Sequence, residues 1–264
     1  MHRLRPGDRR GRRAALTDPK EIVRVGYDAI AERYAEWSSV DWPTRAWVAK
    51  LIDLLPTRSD VLEIGSGIGS YSAAIATHPA VKRLTCIELD PLCVAEARAR
   101  FAEPIASGTV ELVHGDYMEV ALHDQAFDTV VCLNVLEHIE HDGQALAKAY
   151  AALKPGGRLV LYVPAFPSIM GEIDRRLGHF RRYTRASMRH LLKEAGFGVR
   201  QLRYYNLTGF VGWLVRFRVL KRSEQSPGVV GLFDRTVMPW QARLEAHWPW
   251  QPIGQSLYVV AEKP

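Results

Sequence analysis

One short stretch of this sequence limits the possible folds more than any other: an apolar strand that runs directly into closely spaced glycines and then into a helix. The strand covers residues 61–64, the glycines are Gly65, Gly67 and Gly69, and a helical pattern follows over residues 70–78. Glycines permit a tight reversal and let a ligand lie against bare backbone. The N–H groups at the start of a helix favour an anionic group such as a carboxylate. The stretch therefore predicts a ligand-binding turn.

From residue 20 onwards, helical and strand-like segments alternate along the chain, which predicts parallel β-α-β units. Amphipathic helices are expected at residues 21–37 and 43–55. Strands are expected at residues 61–64, 83–90, 109–117, from 127, 158–164, 198–206 and 255–263. Further helices are expected at residues 70–78, 93–103, from 142 up to the Pro-Gly-Gly stop at 155–157, and 187–197.

Bulk composition excludes several classes of protein. No run of about 18 apolar residues occurs, so we expect no membrane span, and the N-terminus lacks the apolar region of a secretory signal. The cysteines Cys86, Cys93 and Cys132 are too few and too scattered for a disulfide framework or a zinc site, so no metal is expected. Cys86 and Cys132 lie in strand-like runs and are predicted to be buried thiols, which suits a reducing cytoplasm.

Positive charge is concentrated at the N-terminus. Residues 1–13 hold six arginines and one aspartate and so carry +5 of the formal net charge of +6. We expect residues 1–19 to be a basic disordered tail. Binding of single-stranded nucleic acid is less favoured, because no aromatic residue is interleaved there for bases to stack on. Residues 20–206 and 255–264 are predicted to form the core, and residues 207–254 an insertion.

The spacing of the glycines separates two kinds of cofactor site. A dinucleotide-binding fingerprint has the form G-x-G-x-x-G, and its third glycine would fall at Ser70. The observed G-x-G-x-G therefore argues against a nicotinamide cofactor. Glu88 ends the next expected strand, where a carboxylate can bind both hydroxyls of a ribose.

Five segments, in this order along the chain, resemble the motifs of class I S-adenosylmethionine (SAM)-dependent methyltransferases of the bacterial small-molecule type, the methyltransferase 11 and 12 types. They are residues 63–69, 87–91, 114–117, 132–138 and 153–157. The resemblance implies an α/β fold with a Rossmann-like, seven-stranded, mostly parallel sheet, helices on both faces and an antiparallel last strand. It also implies SAM as the cofactor and S-adenosylhomocysteine as the product.

The resemblance implies which residues hold the cofactor. Gly65 and Gly67 would pass under the methionine part, Glu88 would hold the ribose, and Asp116 would accept from the adenine amino group. The backbone near Asn134 would face the methionine amino group. Asp116 could also be a simple turn former and Asn134 a helix N-cap, and these roles are compatible with the cofactor contacts. The full predicted set is Tyr27, Glu63, Gly65, Ser66, Gly67, Glu88, Leu89, Asp116, Tyr117 and Asn134.

Three further members of this set have implied roles. Glu63 would brace the glycine loop, Leu89 would pack on the adenine, and Tyr117 would lie beside it. Tyr27 lies on the apolar face of the helix expected at residues 21–37, where it could approach the sulfonium or simply pack in the core.

Two places supply candidate catalytic residues, namely His138 after the fourth strand and His179, Arg182 and Tyr183 after the fifth. A general base is needed only if the acceptor carries a proton that must leave. The histidines or Tyr183 could serve as base or hydrogen-bond partner, and arginines could hold an anionic group on the acceptor. His138 could equally be a surface or packing residue, and the arginines could pair with nearby acidic residues, of which the chain offers Glu172, Asp174 and Glu194.

The insertion is rich in Trp, Phe, Pro and Gly and is expected to be a lid that binds the acceptor. The alternatives are an amphipathic contact with a membrane surface and a dimer contact.

From the five motifs and the candidate residues, we predict methyl transfer to an oxygen or nitrogen of a small molecule, such as a natural product or a glycan or lipid precursor. A non-catalytic SAM-binding module, and a methyltransferase acting on RNA or protein, are the alternatives. The expected partner is the small molecule and not nucleic acid, and the expected state is a monomer or homodimer.

Overall fold

The computed structural model describes residues 58–207, residue 210 and residues 252–264. Seven strands in these ranges form one sheet in the order β3-β2-β1-β4-β5-β7-β6. β7 is antiparallel to both of its neighbours, and the other strand pairs are parallel. This confirms the predicted fold class. The strands are β1 Ser59–Ile64, β2 Val81–Glu88, β3 Val110–His114, β4 Phe127–Leu133, β5 Leu153–Pro164, β6 Gly198–Tyr205 and β7 Ser256–Glu262.

Helices connect the parallel strands. They are α1 Ser70–Ala76, α2 Pro91–Arg100, α3 Ala102–Ala106, α4 Asp142–Ala152, α5 Glu172–Arg176 and α6 Arg185–Glu194. The single helix expected at residues 93–103 is divided in two, because Phe101 leaves the helical conformation at φ −103° and ψ 21°. α2 also begins earlier than expected, since Pro91 occupies its first turn and the Asp90 carboxylate caps it by accepting from the Leu92 and Cys93 N–H groups.

The sheet is buried on both faces. Val61 and Leu62 are neighbours in β1, both are fully buried, and they belong to two separate apolar clusters. Because successive side chains of a strand point to opposite faces, a core must cover each side of the sheet. Cys86, Cys93 and Cys132 are free and buried, as expected for Cys86 and Cys132 from their strand-like surroundings.

The segment at residues 153–157 differs from its prediction. The preceding helix was expected to reach residues 155–157 and the strand to begin at residue 158, but the helix ends at Ala152 and the structure includes residues 153–157 in β5. The backbone explains this, because Gly156 donates to the Lys263 carbonyl at 2.8 Å and Lys263 donates to the Gly157 carbonyl at 2.9 Å. Gly156 has φ 74°, a left-handed conformation that suits glycine.

Several predictions lie outside the described residues: the basic tail, the helices expected at residues 21–37 and 43–55, Tyr27, and most of the insertion at 207–254. The predicted domain boundaries therefore stay predictions. In the part of the chain that the structure describes, none of the helices is long and apolar enough to cross a membrane.

Candidate active site

The glycine loop after β1 combines close packing with open backbone. Gly65, Gly67 and Gly69 have φ values of 70°, 55° and 81°, all in the left-handed region. A Cβ atom on Gly65 would collide with Val135, and one on Gly69 would collide with the Phe101 ring. A Cβ on Gly67 would meet nothing within 4 Å. Gly65 and Gly69 are therefore required by packing, whereas Gly67 presents bare backbone to open space.

Glu88, at the end of β2, points its carboxylate at this loop. Its Oε2 accepts from the Gly67 N–H at 2.6 Å and its Oε1 accepts from the Asp90 N–H at 2.8 Å. Burial raises the pKa of Glu88, while these backbone bonds act in the opposite direction. Each carboxylate oxygen keeps a second lone pair, so both can still accept from hydroxyl groups. The structure thus brings together Gly67 and Glu88, the two residues predicted to lie under the methionine and ribose parts of SAM.

Glu63 lies buried in β1 and has hydrogen-bond partners on two neighbouring elements. The Cys86 thiol on β2 donates to its Oε2 at 3.6 Å, and Ser72 of α1, the helix that follows the glycine loop, also bonds its side chain. Burial raises the pKa of Glu63 to about 7. A buried carboxylate without a counterion favours its protonated form. The predicted role of Glu63 as a brace of the glycine loop stays a prediction.

The turn after β3 holds the residues predicted to meet the adenine. Asp116 accepts from the Met118 N–H at 2.8 Å through its Oδ1, which is the turn-forming role named as the alternative. Tyr117 is buried in the core, and its hydroxyl donates to the Ala145 carbonyl on α4 at 3.0 Å. Its ring packs into the protein, and its predicted place beside the adenine stays a prediction. Leu89 is half-buried at the end of β2.

Lys148, on α4, holds this turn in place and was missed by the sequence analysis. Its ammonium group donates to the carbonyls of Tyr117 at 2.6 Å, Met118 at 3.1 Å and Val120 at 2.6 Å. Burial lowers the pKa of Lys148, and the negative charge of Asp116 opposes this. The only signal in the sequence is a lysine within an alanine-rich helix, which is ordinary for a solvent-exposed position.

Asn134, directly after β4, has φ 54°, which is uncommon for a residue other than glycine. Its N–H donates to the Tyr162 carbonyl at 2.7 Å. The 3-10 turn Leu136–His138 has Val135 at its N-cap position, so Asn134 is not the N-cap that the alternative suggested. Ser66 is buried in the glycine loop, and its hydroxyl has no hydrogen-bond partner among the described residues.

The segment after α5 is organised around a buried carboxylate, Asp174. Its Oδ1 accepts from His179 Nδ1 at 2.9 Å and from Arg182 Nε at 2.8 Å, and its Oδ2 accepts from the Gly171 N–H at 2.8 Å. The hydrogen bond from His179 and the charge of Arg182 together outweigh burial and lower the pKa of Asp174. A carboxylate can only accept, so His179 carries its proton on Nδ1.

Arg182 and Tyr183 both have their polar groups bonded within the protein. Arg182 is buried, its guanidinium pairs with Asp174 at 2.7 Å, and its Nη1 donates to the Ala165 carbonyl at 3.2 Å. This is the acidic pairing named as the alternative to holding an anionic acceptor. Tyr183 is also buried, its hydroxyl donates to Asp142 Oδ2 at 3.0 Å, and burial together with Asp142 raises its pKa far above the ordinary value. The predicted acceptor-side roles of Arg182 and Tyr183 stay predictions.

His138 lies against His179, with the ring centroids 4.6 Å apart in an edge-to-face arrangement. Burial, followed by the neighbouring charge of His179, lowers the pKa of His138 to about 3, so its ring is neutral at physiological pH. Glu137, missed by the sequence analysis, is fully buried beside them, and burial raises its pKa to about 8. The Phe180 N–H donates to the Glu137 carbonyl at 2.8 Å, which joins the two segments.

Comparison with known proteins agrees, over part of the chain, with the resemblance to methyltransferases. Residues 62–161 match a family model described as a methyltransferase domain. A probable S-adenosylmethionine-dependent methyltransferase of Mycolicibacterium smegmatis is 32% identical over 142 residues, which are 53% of this chain and 52% of that protein. The ubiquinone biosynthesis O-methyltransferase of Xanthomonas euvesicatoria is 33% identical over 51% of this chain and 57% of its own. The matched segment thus spans little more than half the length of these relatives.

A third relative, the 27-O-demethylrifamycin SV methyltransferase of Amycolatopsis mediterranei, is 29% identical over 60% of this chain and 64% of its own. Among solved structures, the Haemonchus contortus phosphoethanolamine N-methyltransferase 2 in complex with SAM has a TM-score of 0.66 at 18% identity, covering 95% of this chain and 61% of that one. The geranyl diphosphate C-methyltransferase of Streptomyces coelicolor has a TM-score of 0.59 at 14% identity, covering 83% and 76%. At these identities the structures establish the fold alone.

Proposed function

We propose that this protein transfers a methyl group from SAM to an oxygen or nitrogen of a small molecule. The match of residues 62–161 to a methyltransferase domain supports this proposal. The observation that carries the proposal is the pair formed by Gly67 and Glu88. Open backbone at Gly67 leaves room for the methionine part of SAM, and the Glu88 carboxylate next to it can accept from both ribose hydroxyls.

Oxygen is the first choice for the methylated atom. The relatives from Xanthomonas and Amycolatopsis are named as an O-methyltransferase and as a methyltransferase of a 27-O-demethyl compound. Natural products and lipid precursors with hydroxyl groups are therefore the acceptors to test first. An anionic acceptor has lost its main support, because Arg182 pairs with Asp174 and Arg181 pairs with Asp142.

The chemistry of the transfer places few demands on the protein. Methyl transfer from a sulfonium is an in-line displacement, so alignment of acceptor, methyl and sulfur supplies much of the rate. His138 and His179 stay predictions as acceptor-side groups. Of the two, His179 has one ring nitrogen, Nδ1, held by the Asp174 carboxylate at 2.9 Å. Cytoplasmic location and a monomeric or dimeric state also stay predictions.

Calorimetry with SAM and, separately, with NAD tests the cofactor. SAM is expected to bind and NAD is not, and tight NAD binding without SAM binding would refute the proposal. Transfer of an isotope-labelled methyl group from SAM to a panel of hydroxylated and amine-bearing small molecules then tests the activity. SAM binding without transfer to any acceptor, including RNA and protein fractions, would favour the non-catalytic SAM-binding module.

A further inference from the structure

We propose that Glu137, His138 and His179 bind a divalent transition-metal ion of the zinc type. One ligand atom from each of the three residues lies within 4.8 Å of the ligand atoms of the other two. None of the three has been given a metal-binding role by the sequence, which lacks any familiar spacing of metal ligands. The fold creates the cluster by bringing together two segments that are about 40 residues apart in the chain.

Two parts of the backbone position the cluster. Glu137 and His138 lie in the 3-10 turn Leu136–His138, which follows β4 at the carboxyl edge of the sheet. His179 follows α5, where its N–H donates to the Asp174 carbonyl at 2.9 Å, and the next residue, Phe180, donates to the Glu137 carbonyl at 2.8 Å. Backbone hydrogen bonds therefore fix the separation of the two segments without help from the candidate ligands.

The carboxylate of Glu137 points to a missing ligand. Its residue is 1% exposed, and its Oε2 has no hydrogen-bond partner among the described residues. A buried polar atom left without a partner is unfavourable, so such atoms are rare unless a water or an ion supplies the missing partner. A cation held between this oxygen and the two imidazoles would remove that cost.

His179 is already arranged as a metal ligand would be. Histidines that bind metals usually donate their other ring N–H to a carboxylate, which fixes the tautomer and the ring orientation. His179 Nδ1 donates to Asp174 at 2.9 Å, and this leaves Nε2 with its lone pair available. Arg182 binds the same Asp174 oxygen and compensates the negative charge of the carboxylate. The Asp174–Arg182 pair that holds His179 therefore carries no net charge.

The donor set selects the metal. Two imidazole nitrogens and one carboxylate suit Zn²⁺, Co²⁺ or Fe²⁺, whereas Mg²⁺ and Ca²⁺ prefer oxygen ligands. Zinc bonds of about 2.0 to 2.1 Å in a tetrahedron place ligand atoms roughly 3.4 Å apart, so the side chains have to move inwards by about 1 Å. Three protein ligands leave a fourth position open. Metal binding itself does not depend on the proposed methyl transfer. Binding of an acceptor oxygen at the open fourth position of the metal does rest on that proposed function.

The test is metal binding by the full chain after treatment with a chelator. Wild-type protein is expected to bind one equivalent of Zn²⁺ in calorimetry and to give visible absorption bands with Co²⁺. Glu137→Gln and His179→Ala are each expected to weaken binding at least about tenfold. Glu140→Gln and His141→Ala are matched controls, because these exposed neighbours carry the same groups outside the cluster, and they should bind as the wild type does.

The proposal is wrong if the wild type binds no stoichiometric Zn²⁺ or Co²⁺, or if Glu137→Gln and His179→Ala bind either ion as tightly as the controls do. SAM calorimetry on the same metal-free proteins keeps this result separate from the proposed function, because the SAM site and the cluster share no residue. It also shows that each variant is folded. If one of the two variants fails to fold, the other variant and the wild-type Co²⁺ spectrum still show whether the metal site exists.

Discussion

Replacing Glu88 with Gln should weaken SAM binding and leave the stability of the protein almost unchanged. The side chain keeps its size, but it loses its charge and one of its two acceptor oxygens. Its bonds to the N–H groups of Gly67 and Asp90 exist before SAM arrives. Their loss therefore affects folding and largely cancels in binding. The bonds to the ribose hydroxyls form only with SAM, so their loss appears in the dissociation constant.

The two effects can be given sizes. A hydrogen bond to a charged group contributes about 1.5 to 3 kcal/mol, so the loss of one charge-assisted bond to the ribose corresponds to a Kd for SAM about 10- to 100-fold higher. For folding, the lost backbone bond is offset because the variant no longer buries a charge, whose cost is visible in the raised pKa of Glu88. We therefore expect the free energy of unfolding of the SAM-free protein to change by only about 1 kcal/mol.

Titration calorimetry measures the Kd, and urea denaturation of the SAM-free protein measures the stability. Glu96→Gln is the control, since Glu96 is an exposed residue of α2 and loses the same charge. The argument fails if Glu88→Gln binds SAM within about twofold of the wild type, or if Glu96→Gln weakens binding to the same extent.

Three further predictions concern other parts of the site. The pKa of Glu63 is raised from 4.5 to about 7, so the protonated side chain contributes about 3 kcal/mol to stability. This contribution is complete below pH 4.5 and is lost as the pH rises through 7. Urea denaturation across this range should show the fall in the free energy of unfolding, and Glu63→Gln should make the dependence on pH weaker. Gly67→Ala should weaken SAM binding at a stability cost of about 1 kcal/mol, whereas Gly69→Ala should lower the Tm more because the new methyl group meets Phe101. Lys148→Met should leave the turn carbonyls without their donor, and we expect a lower Tm together with weaker SAM binding in calorimetry.

The sequence predicted those parts of the fold that depend on local patterns. Residues 61–64 form a strand because they are an apolar run between polar segments, and the glycines that follow have the left-handed conformations that only glycine adopts easily. Glu88 could be placed for the same reason: parallel neighbouring strands end at the same edge of the sheet, so a residue that ends β2 must lie beside the turn after β1.

The roles of individual side chains were harder to predict, because their partners come from distant segments. Tyr183 bonds Asp142, 41 residues away in the chain, and Tyr117 bonds Ala145, 28 residues away. No local pattern distinguishes these buried tyrosines from tyrosines that line a pocket. Arg182 pairs with a nearby residue, Asp174, yet a run of charges gives no sign of which members are buried.

The antiparallel end of the sheet has a consequence for how the chain between β6 and β7 can change in length. Tyr205, the last residue of β6, pairs with Ser256, the first of β7. Next to them, the Asn206 and Gln255 side chains join at 3.0 Å, and the Gln255 N–H donates to the Asn206 carbonyl at 3.0 Å. The two points where the described chain leaves β6 and enters β7 are therefore held side by side. We expect changes in the number of residues between them to leave the register of β6 and β7 intact.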